Sequence, residues 1–421
     1  MADWDVIVIG AGAAGLLAAT RGAERGRRVL LLEKNRKPGV KILMSGGTRC
    51  NLTQATDRRG ITEAFGPQGK FLHSALAALG PDDLIALVEA EGVPTKVEST
   101  GKVFPVSNRA ADVLSALLAR LRRSGAELST AEPVLNVTRN HGAEDTSGFE
   151  VTTSQRTLRA AKVILTSGGQ SYPGCGTTGD GYAWATQLRH SIVRPRPALV
   201  PVTVRADWAK SLRGIAVPDV VVSLWEMPPA DMSSSTRALE SRRGALLFAH
   251  FGLSGPAVMD ISRGVTSHSR PRSLVLVCDF LPRESQSALR DALLAGKRSV
   301  GKKRSSTLLA ERLPKRLADT LTLRAGIALD QRVAELSRNQ IESLIGTLKS
   351  TAFPVTGTMG FKKAEVTAGG VDLAEVDSRT MQSKLAAGLY LAGEILDLDG
   401  PIGGYNFQSA FSTGWLAAES V

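Results

Sequence analysis

The spacing of hydrophobic and polar positions changes several times along this chain, and each change marks an element. Asp5-Val6-Ile7-Val8-Ile9 is a β-branched run without polar alternation, which predicts a strand buried on both faces. Small residues carry helical spacing from Gly10 to Gly26, and Val29-Leu30-Leu31-Leu32 is a second buried run. Phe71, Leu72, Leu76 and Leu79 recur at helical spacing, as do Leu84, Ile85, Leu87 and Val88, with Pro81 opening the second of these helices. Ala110 to Arg123 predicts a helix stopped at Ser124-Gly125. Residues 126–167 alternate short strands and turns, ending in the buried run Val163-Ile164-Leu165-Thr166.

The texture then shifts. The Pro-rich stretch from Arg194 to Pro201 reads as a domain boundary. Strand-like runs at Val202–Val204, Val220–Leu224, Ala245–Phe248 and Leu274–Val277 predict a β-rich domain. Helical spacing replaces them in the next 70 residues or so, and from residue 351 the strand and glycine pattern of the start returns. The predicted organisation is a first domain over residues 1–195, a β-rich domain over 196–281, a helical insert over 282–350, and a return to the first domain within 351–421. The dinucleotide domain is therefore expected to be discontinuous.

A chain of 421 residues is too long for one compact core, which agrees with that division. The three cysteines, Cys50, Cys175 and Cys278, are scattered, so they predict neither a disulfide framework nor a metal site. His73, His141, His190 and His268 have no metal-ligand spacing either. No apolar run reaches the roughly 20 residues of a membrane span, and the first strand starts too early for a signal peptide to precede it. A reducing cytoplasm is the expected setting. The formal charge of +12 bears on partners rather than fold. Between Arg283 and Lys349 there are 14 Lys/Arg against 7 Asp/Glu, so more than half of the net charge lies in one-sixth of the chain. Arg298, Lys302, Lys303 and Arg304 form its densest knot. This is either a solvated helical face or a docking surface for a polyanion such as RNA.

Gly10-Ala11-Gly12-Ala13-Ala14-Gly15 follows the first strand directly, opens a helix, and precedes a second strand that ends in Glu33. That context makes the glycines specific for a dinucleotide. Gly10 permits the tight turn, Gly12 lets the backbone approach a pyrophosphate, and Gly15 lets the helix pack on the strand. Ala13 and Ala14 present helix N–H groups to the anion, and Glu33 meets ribose hydroxyls. A second formal match, Gly174-Cys175-Gly176-Thr177-Thr178-Gly179, has no strand directly before it and no acid at the right distance, so it is read as a turn and cap into the helix from Tyr182. The cofactor domain closes through Gly393-Glu394, the Gly-rich loop to Gly404-Tyr405-Asn406, and the helix from Phe407. That closure suits a flavin rather than a nicotinamide: the acid meets a ribityl hydroxyl and the helix N-terminus faces the pyrimidine carbonyl.

At this point the chain resembles the bacterial flavoproteins known as HI0933-like, YhiN-like or BaiN-like NAD(P)/FAD-dependent oxidoreductases. Besides GAGAAG, the resemblance rests on KILMSGGTRCN from Lys41, VFPVSN from Val103, SGGQSYPGCGTTGDG from Ser167, LFAHFGLSGP from Leu247, AEVTAGGV from Ala364 and GEILDLDGPIGGYNFQ from Gly393. It implies an α/β fold: a Rossmann-like FAD-binding domain of the glutathione-reductase or fumarate-reductase type, an inserted β-barrel-like domain, and a small helical insert. It also implies that Ser45-Gly46-Gly47 and Thr178-Gly179-Asp180 lie beside the flavin, with Lys34, Lys41, Gly168 and Gly169 around it. Members are linked to reduction of carbon–carbon double bonds, in dehydro-bile-acid intermediates and in uridine of ribosomal RNA.

Reducing a double bond conjugated to a carbonyl needs a hydride, a donor for the developing enolate oxygen and an acid for the other carbon. Arg49 is the candidate anion stabiliser; Cys50, Tyr172, His250 and Tyr405 are the candidate acids. Cys50 and His250 read equally well as a packed thiol and a satisfied structural histidine. With no second dinucleotide fingerprint, NAD(P)H would bind only transiently as electron donor. The expected activity is an FAD-dependent reductase forming dihydrouridine in ribosomal RNA, with a small enone or dehydro-steroid as the alternative substrate. A non-catalytic flavin-based redox sensor with a nucleic-acid-binding insert is the reading from a different class.

Overall fold

The structure is a computed structural model that describes residues 2–140, 148–226 and 237–421; His141 lies outside them. The chain forms two compact units: residues 1–197 with 365–421, and residues 198–364.

The first unit is built on strand β1 (Trp4–Ile9), helix α1 (Ala13–Glu24) and strand β2 (Val29–Leu32). β1 pairs in parallel with β2 (Val6 beside Val29) and, on its other side, with Thr157–Leu165 (Val8 beside Ile164). Glu127–Ser129 extends the sheet beyond β2, Leu389–Leu391 pairs with Thr157–Leu165, and an antiparallel pair, Val134–Asn140 and Gly148–Thr153, completes seven strands. Central parallel strands are covered on both faces, which is why Val6–Ile9 and Val29–Leu32 are unbroken apolar runs. α1 is apolar nearly all round, because it lies against the sheet and the C-terminal helix Tyr405–Glu419 at once. The two helices approach closely: a Cβ on Gly414 would sit 2.3 Å from the Ala14 carbonyl oxygen.

The Pro-rich stretch is not a free linker. Residues Ile192–Ala198 form a strand, paired with Val366–Val371 in a two-stranded sheet. Proline is tolerated in an edge strand of this kind, where alternate N–H groups face away from the partner. Gly369-Gly370 is not a turn. Both residues lie inside strand Val366–Val371, and a Cβ on Gly369 would come within 2.5 Å of the Arg194 carbonyl oxygen. Glycine there serves close approach of two backbones.

The second unit is a closed six-stranded barrel of Val202–Val204, Gly252–Ser254, Glu240–Ala249, Ala216–Glu226, Leu274–Asp279 and Thr351–Thr358. Inward side chains fill it, with Phe248 at its centre and its ring centroid 6.3 Å from those of Phe280 and Phe353. Between its last two strands the chain runs through helices Gln286–Ser299, Ser305–Leu309, Lys315–Arg324 and Arg338–Lys349. Ser285 and Ser337 cap the first and last of these through their hydroxyls, and Leu289, Leu293, Leu317, Leu321, Leu344 and Leu348 form the buried stripe. Among the described residues no single helix is long and apolar enough to cross a membrane.

Candidate functional site

The glycines of the first turn divide by what demands them. Gly10 has φ +105° and Gly15 has no room: a Cβ there would lie 1.9 Å from the Gly10 carbonyl oxygen. Packing of the chain requires both. Gly12 has φ −85°, open to any residue, and a Cβ on it would meet no atom within 4 Å. Neither conformation nor packing within the protein explains a glycine at position 12. It keeps clear the approach to the N-terminus of α1, where Ala13, Ala14 and Gly15 present N–H groups without intrahelical acceptors. This fits a dinucleotide pyrophosphate.

Glu33, at the end of β2, is buried. Its two oxygens accept the N–H groups of Ala11 and Asn35, each at 2.9 Å. It therefore shapes the glycine turn, and each oxygen keeps a lone pair that these two bonds do not use. Lys34 donates to Thr178 Oγ1 at 2.6 Å and pairs with Asp180 at 2.5 Å, so two segments nearly 150 residues apart meet beside the end of β2. The second glycine match behaves as a turn: the preceding strand ends at Leu165, Pro173–Cys175 is a single 3-10 turn, and Gly179 caps helix Asp180–Gln187 with φ +83°.

Helix α2 (Val40–Thr48) breaks at Ser45, Gly46 and Gly47, whose dihedrals leave the helical region. Lys41, one turn before that break, pairs with Glu394 and donates to Ser171 Oγ at 2.6 Å. Ser171 Oγ in turn donates to Glu394 at 2.5 Å, and the Thr367 N–H donates to the same carboxylate at 2.9 Å. Thr367 Oγ1 accepts the N–H groups of Gln170 and Ser171. Ser171 and Thr367 were not singled out from the sequence, although both lie inside quoted blocks. Gly169 allows the approach: a Cβ on it would lie 2.4 Å from Thr367 Oγ1 and 3.0 Å from Glu394. Gly168 has φ +75°, and Gly393, with φ +78°, donates its N–H to Thr413 Oγ1 in the C-terminal helix. Near this network the buried hydroxyls of Ser167 and Tyr182 have no partner among the described residues. Burial, with the nearby Glu394 and Asp397 charges, pushes the Tyr182 phenol well above its ordinary value.

The last helix starts at Gly404 with φ +96°. Asn406, expected at the cofactor, clamps the loop before it. Its carboxamide oxygen accepts from the Gly400 N–H at 2.8 Å, and its nitrogen donates to the Gly400 and Pro401 carbonyls. Phe407 packs on Phe411, with centroids 6.0 Å apart, and the Tyr405 ring lies over Gly403.

The candidate acids separate clearly. Cys50 is fully buried, and burial pushes its thiol up to about 12, although its bond with Ser45 lowers it. Its thiol is packed inside the first unit's core. Tyr172 is half-buried with φ +53°, and burial, with Glu365 and Cys175 nearby, raises its phenol, so it holds its proton at neutral pH. His250 is exposed in the hairpin turn before Gly252–Ser254, with its ring edge-on to Phe251 at 4.8 Å, and is not a core histidine. Arg49 already has partners: Glu98 at 2.6 Å and the Phe104 ring at 4.0 Å. Glu98 gave no signal in the sequence. It holds the guanidinium in one place while about one-third of that side chain stays exposed.

In the helical insert, Lys303 pairs with Glu311 at 2.6 Å, which removes it from the basic knot. Arg332 joins the knot instead, since its backbone forms a β-bridge with Arg304. Among the described residues, Arg298, Lys302, Arg304 and Arg332 are exposed and make no ion pair with a carboxylate. No group of three His, Cys, Asp or Glu side chains suited to a metal occurs among the described residues.

The family profile described as HI0933-like protein Rossmann domain matches residues 4–420. A protein named ribosomal RNA dihydrouridine synthase, from Escherichia coli K12, is 35% identical over 100% of this chain and 98% of its own. One named 3-dehydro-bile acid delta(4,6)-reductase, from Clostridium scindens, is 30% identical over 98% of each. A solved structure of 3-ketosteroid delta1-dehydrogenase from Sterolibacterium denitrificans shares the fold at 15% identity, with a TM-score of 0.50 over 99% of this chain and 98% of that one. The open glycine turn at α1 and the closure of the same unit by the C-terminal helix agree with that match along the whole chain. The chain belongs to the HI0933-like family of FAD-dependent oxidoreductases.

Proposed function

We propose that this chain reduces the carbon–carbon double bond of uridine in ribosomal RNA, giving dihydrouridine, in the cytoplasm. The observation that carries this reading is the basic face of the helical insert, where Arg298, Lys302, Arg304 and Arg332 stand without carboxylate partners among the described residues. A polyanion sheds its own condensed counterions when such a face neutralises its phosphates, whereas a small neutral enone gains nothing from it. The name of the Escherichia coli relative, similar over the full length, supports the same substrate.

Bound FAD supplies the hydride, with NAD(P)H as its transient source of electrons. In our reading the chain does three further things. Glu33, Lys34, Lys41, Thr178, Asp180 and Glu394, with the glycines at 10, 12, 15, 46, 47, 168, 169, 393 and 404, bind and orient the cofactor. Arg49, held by Glu98 and Phe104, faces the negative charge that develops on the uracil carbonyl oxygen as the double bond is reduced. Tyr172 holds the proton for the second carbon, and Tyr405 and His250 are the other donors to compare with it. One hydride and one proton together account for the two hydrogens added.

The test has two arms. Deleting the gene should remove one dihydrouridine from ribosomal RNA when its nucleosides are analysed by mass spectrometry; an unchanged profile ends the proposal. Reversing Arg298, Lys302 and Arg332 to Glu should weaken RNA binding more than tenfold and reduce the salt slope by about three. The Clostridium scindens relative motivates the alternative, a small enone. That reading predicts that anaerobic, reduced protein is reoxidised by enones as fast after charge reversal as before.

A further inference from the structure

The segment Asn51-Leu52-Thr53 leaves the glycine turn at Ser45–Gly47 and enters the short strand Thr53–Gln54. Leu52 is fully buried, and its N–H donates to the Val103 carbonyl at 2.9 Å. Asn51 and Thr53, either side of it, share the other face of the extended chain. Both are buried, at 8% and 0% exposure. Among the described residues, neither Asn51 Oδ1 nor Thr53 Oγ1 has a hydrogen-bond partner. A protein interior rarely leaves one such group unpaired, and two on neighbouring positions of one face call for a partner from outside the chain.

Their surroundings narrow the choice. Asn51 backs onto Gly46, where a Cβ would lie 3.0 Å from the Asn51 nitrogen and 3.3 Å from its Cβ. Thr53 backs onto Gly404, the cap of the 15-residue C-terminal helix, where a Cβ would lie 2.6 Å from the Thr53 carbonyl. The two unpaired groups thus join the glycine turn of α2 to a helix N-terminus, whose first N–H groups have no intrahelical acceptor. A Cβ on Gly47 would meet nothing within 4 Å, so the turn itself is open. The cluster offers one carboxamide acceptor together with a hydroxyl donor and backbone donors.

We propose that Asn51 and Thr53 are binding residues for the pyrimidine edge of the FAD ring system. That edge presents carbonyl, N–H, carbonyl in order. Asn51 Oδ1 accepts from the flavin N3–H, Thr53 Oγ donates to one flanking carbonyl, and the helix N-terminus faces the other. This assignment rests on the reading that the glycine turn and the C-terminal helix take the flavin end of the cofactor.

The full-length protein is titrated with FAD and with N3-methyl-FAD, which lacks the N3 donor, and binding is read by flavin fluorescence. Wild type should prefer FAD by tenfold or more. Asn51→Leu should bind FAD about tenfold more weakly and lose most of that preference. Thr53→Val should bind FAD several-fold more weakly and keep it. Melting temperatures of the flavin-free variants should be no lower than wild type, because each substitution removes an unpaired polar group and keeps the branched shape of the side chain. Equal affinity of wild type for both flavins overturns the assignment even if the variants fail to fold. So does an unchanged preference in Asn51→Leu, or full FAD affinity in both variants, which would mean that ordered water alone meets these groups. A wild-type chain that binds neither flavin removes the underlying cofactor reading as well.

Discussion

At the scale of single residues, one glycine separates a cofactor's demand from the chain's own. Gly12→Ala should leave the melting temperature of the flavin-free protein unchanged and weaken FAD binding at least tenfold, because its Cβ enters only the open approach to α1. Gly15→Ala should cost about 3 kcal/mol or more of stability, since its Cβ meets backbone at 1.9 Å. Thermal melting with and without FAD distinguishes them. Cys50→Ala should lower stability by about 1 kcal/mol and leave turnover within twofold, whereas Tyr172→Phe should cut turnover about a hundredfold with FAD still bound. The sequence made the glycines and Glu33 legible because their chemistry depends on order along the chain. It hid Ser171, Thr367 and Glu98, which matter only through neighbours distant in sequence. It also hid the loop clamp made by Asn406, whose bonds to Gly400 have no sequence pattern of their own.

At the scale of elements, the strand and helix runs were readable wherever one period persisted, as in Val6–Ile9 or Ala110–Ser124, which ends at Gly125 with φ +85°. The edge strand through Pro195 and Pro197 was not, since local composition signals a boundary and only its partner strand makes it extended. At the start of that strand His190 is buried. Its Nδ1 lies 3.0 Å from Glu375 and its Nε2 2.8 Å from Ser383 Oγ, which also accepts the N–H groups of Leu385 and Ala386. These partners fit a neutral ring that donates to Glu375 and accepts from Ser383. Burial, only partly offset by Glu375, holds the imidazole below its ordinary value of 6.5. The unfolded chain therefore takes up the proton first as pH falls. The contribution of His190 to stability is complete above about 6.5 and declines below it, by up to about 1.4 kcal/mol for each unit of depression. His190→Gln should melt lower at pH 7.5 and show a shallower fall between pH 6.5 and 5.

At the scale of the whole molecule, composition foretold two kinds of architecture and the return of the first, since strand runs, a helical block and glycine-rich loops succeed one another. The surplus of charge was visible too, but not its arrangement: Lys303 is neutralised by Glu311, and Arg332 arrives through a backbone bridge from 28 residues away. The discontinuity of the first unit has a further consequence, in time rather than space. A ribosome delivers the chain from one end, and the contiguous stretch 198–364 is complete before the other unit can be. The sheet built on β1 must wait, with one flank of α1 uncovered, until the final helix Tyr405–Glu419 emerges. A chain stopped before Tyr405 should therefore be purified without flavin and be cut by protease down to a fragment close to residues 198–364. In a growing cell the same wait leaves that flank of α1 open on nascent chains, and each molecule can close on its cofactor only once Tyr405–Glu419 has been made.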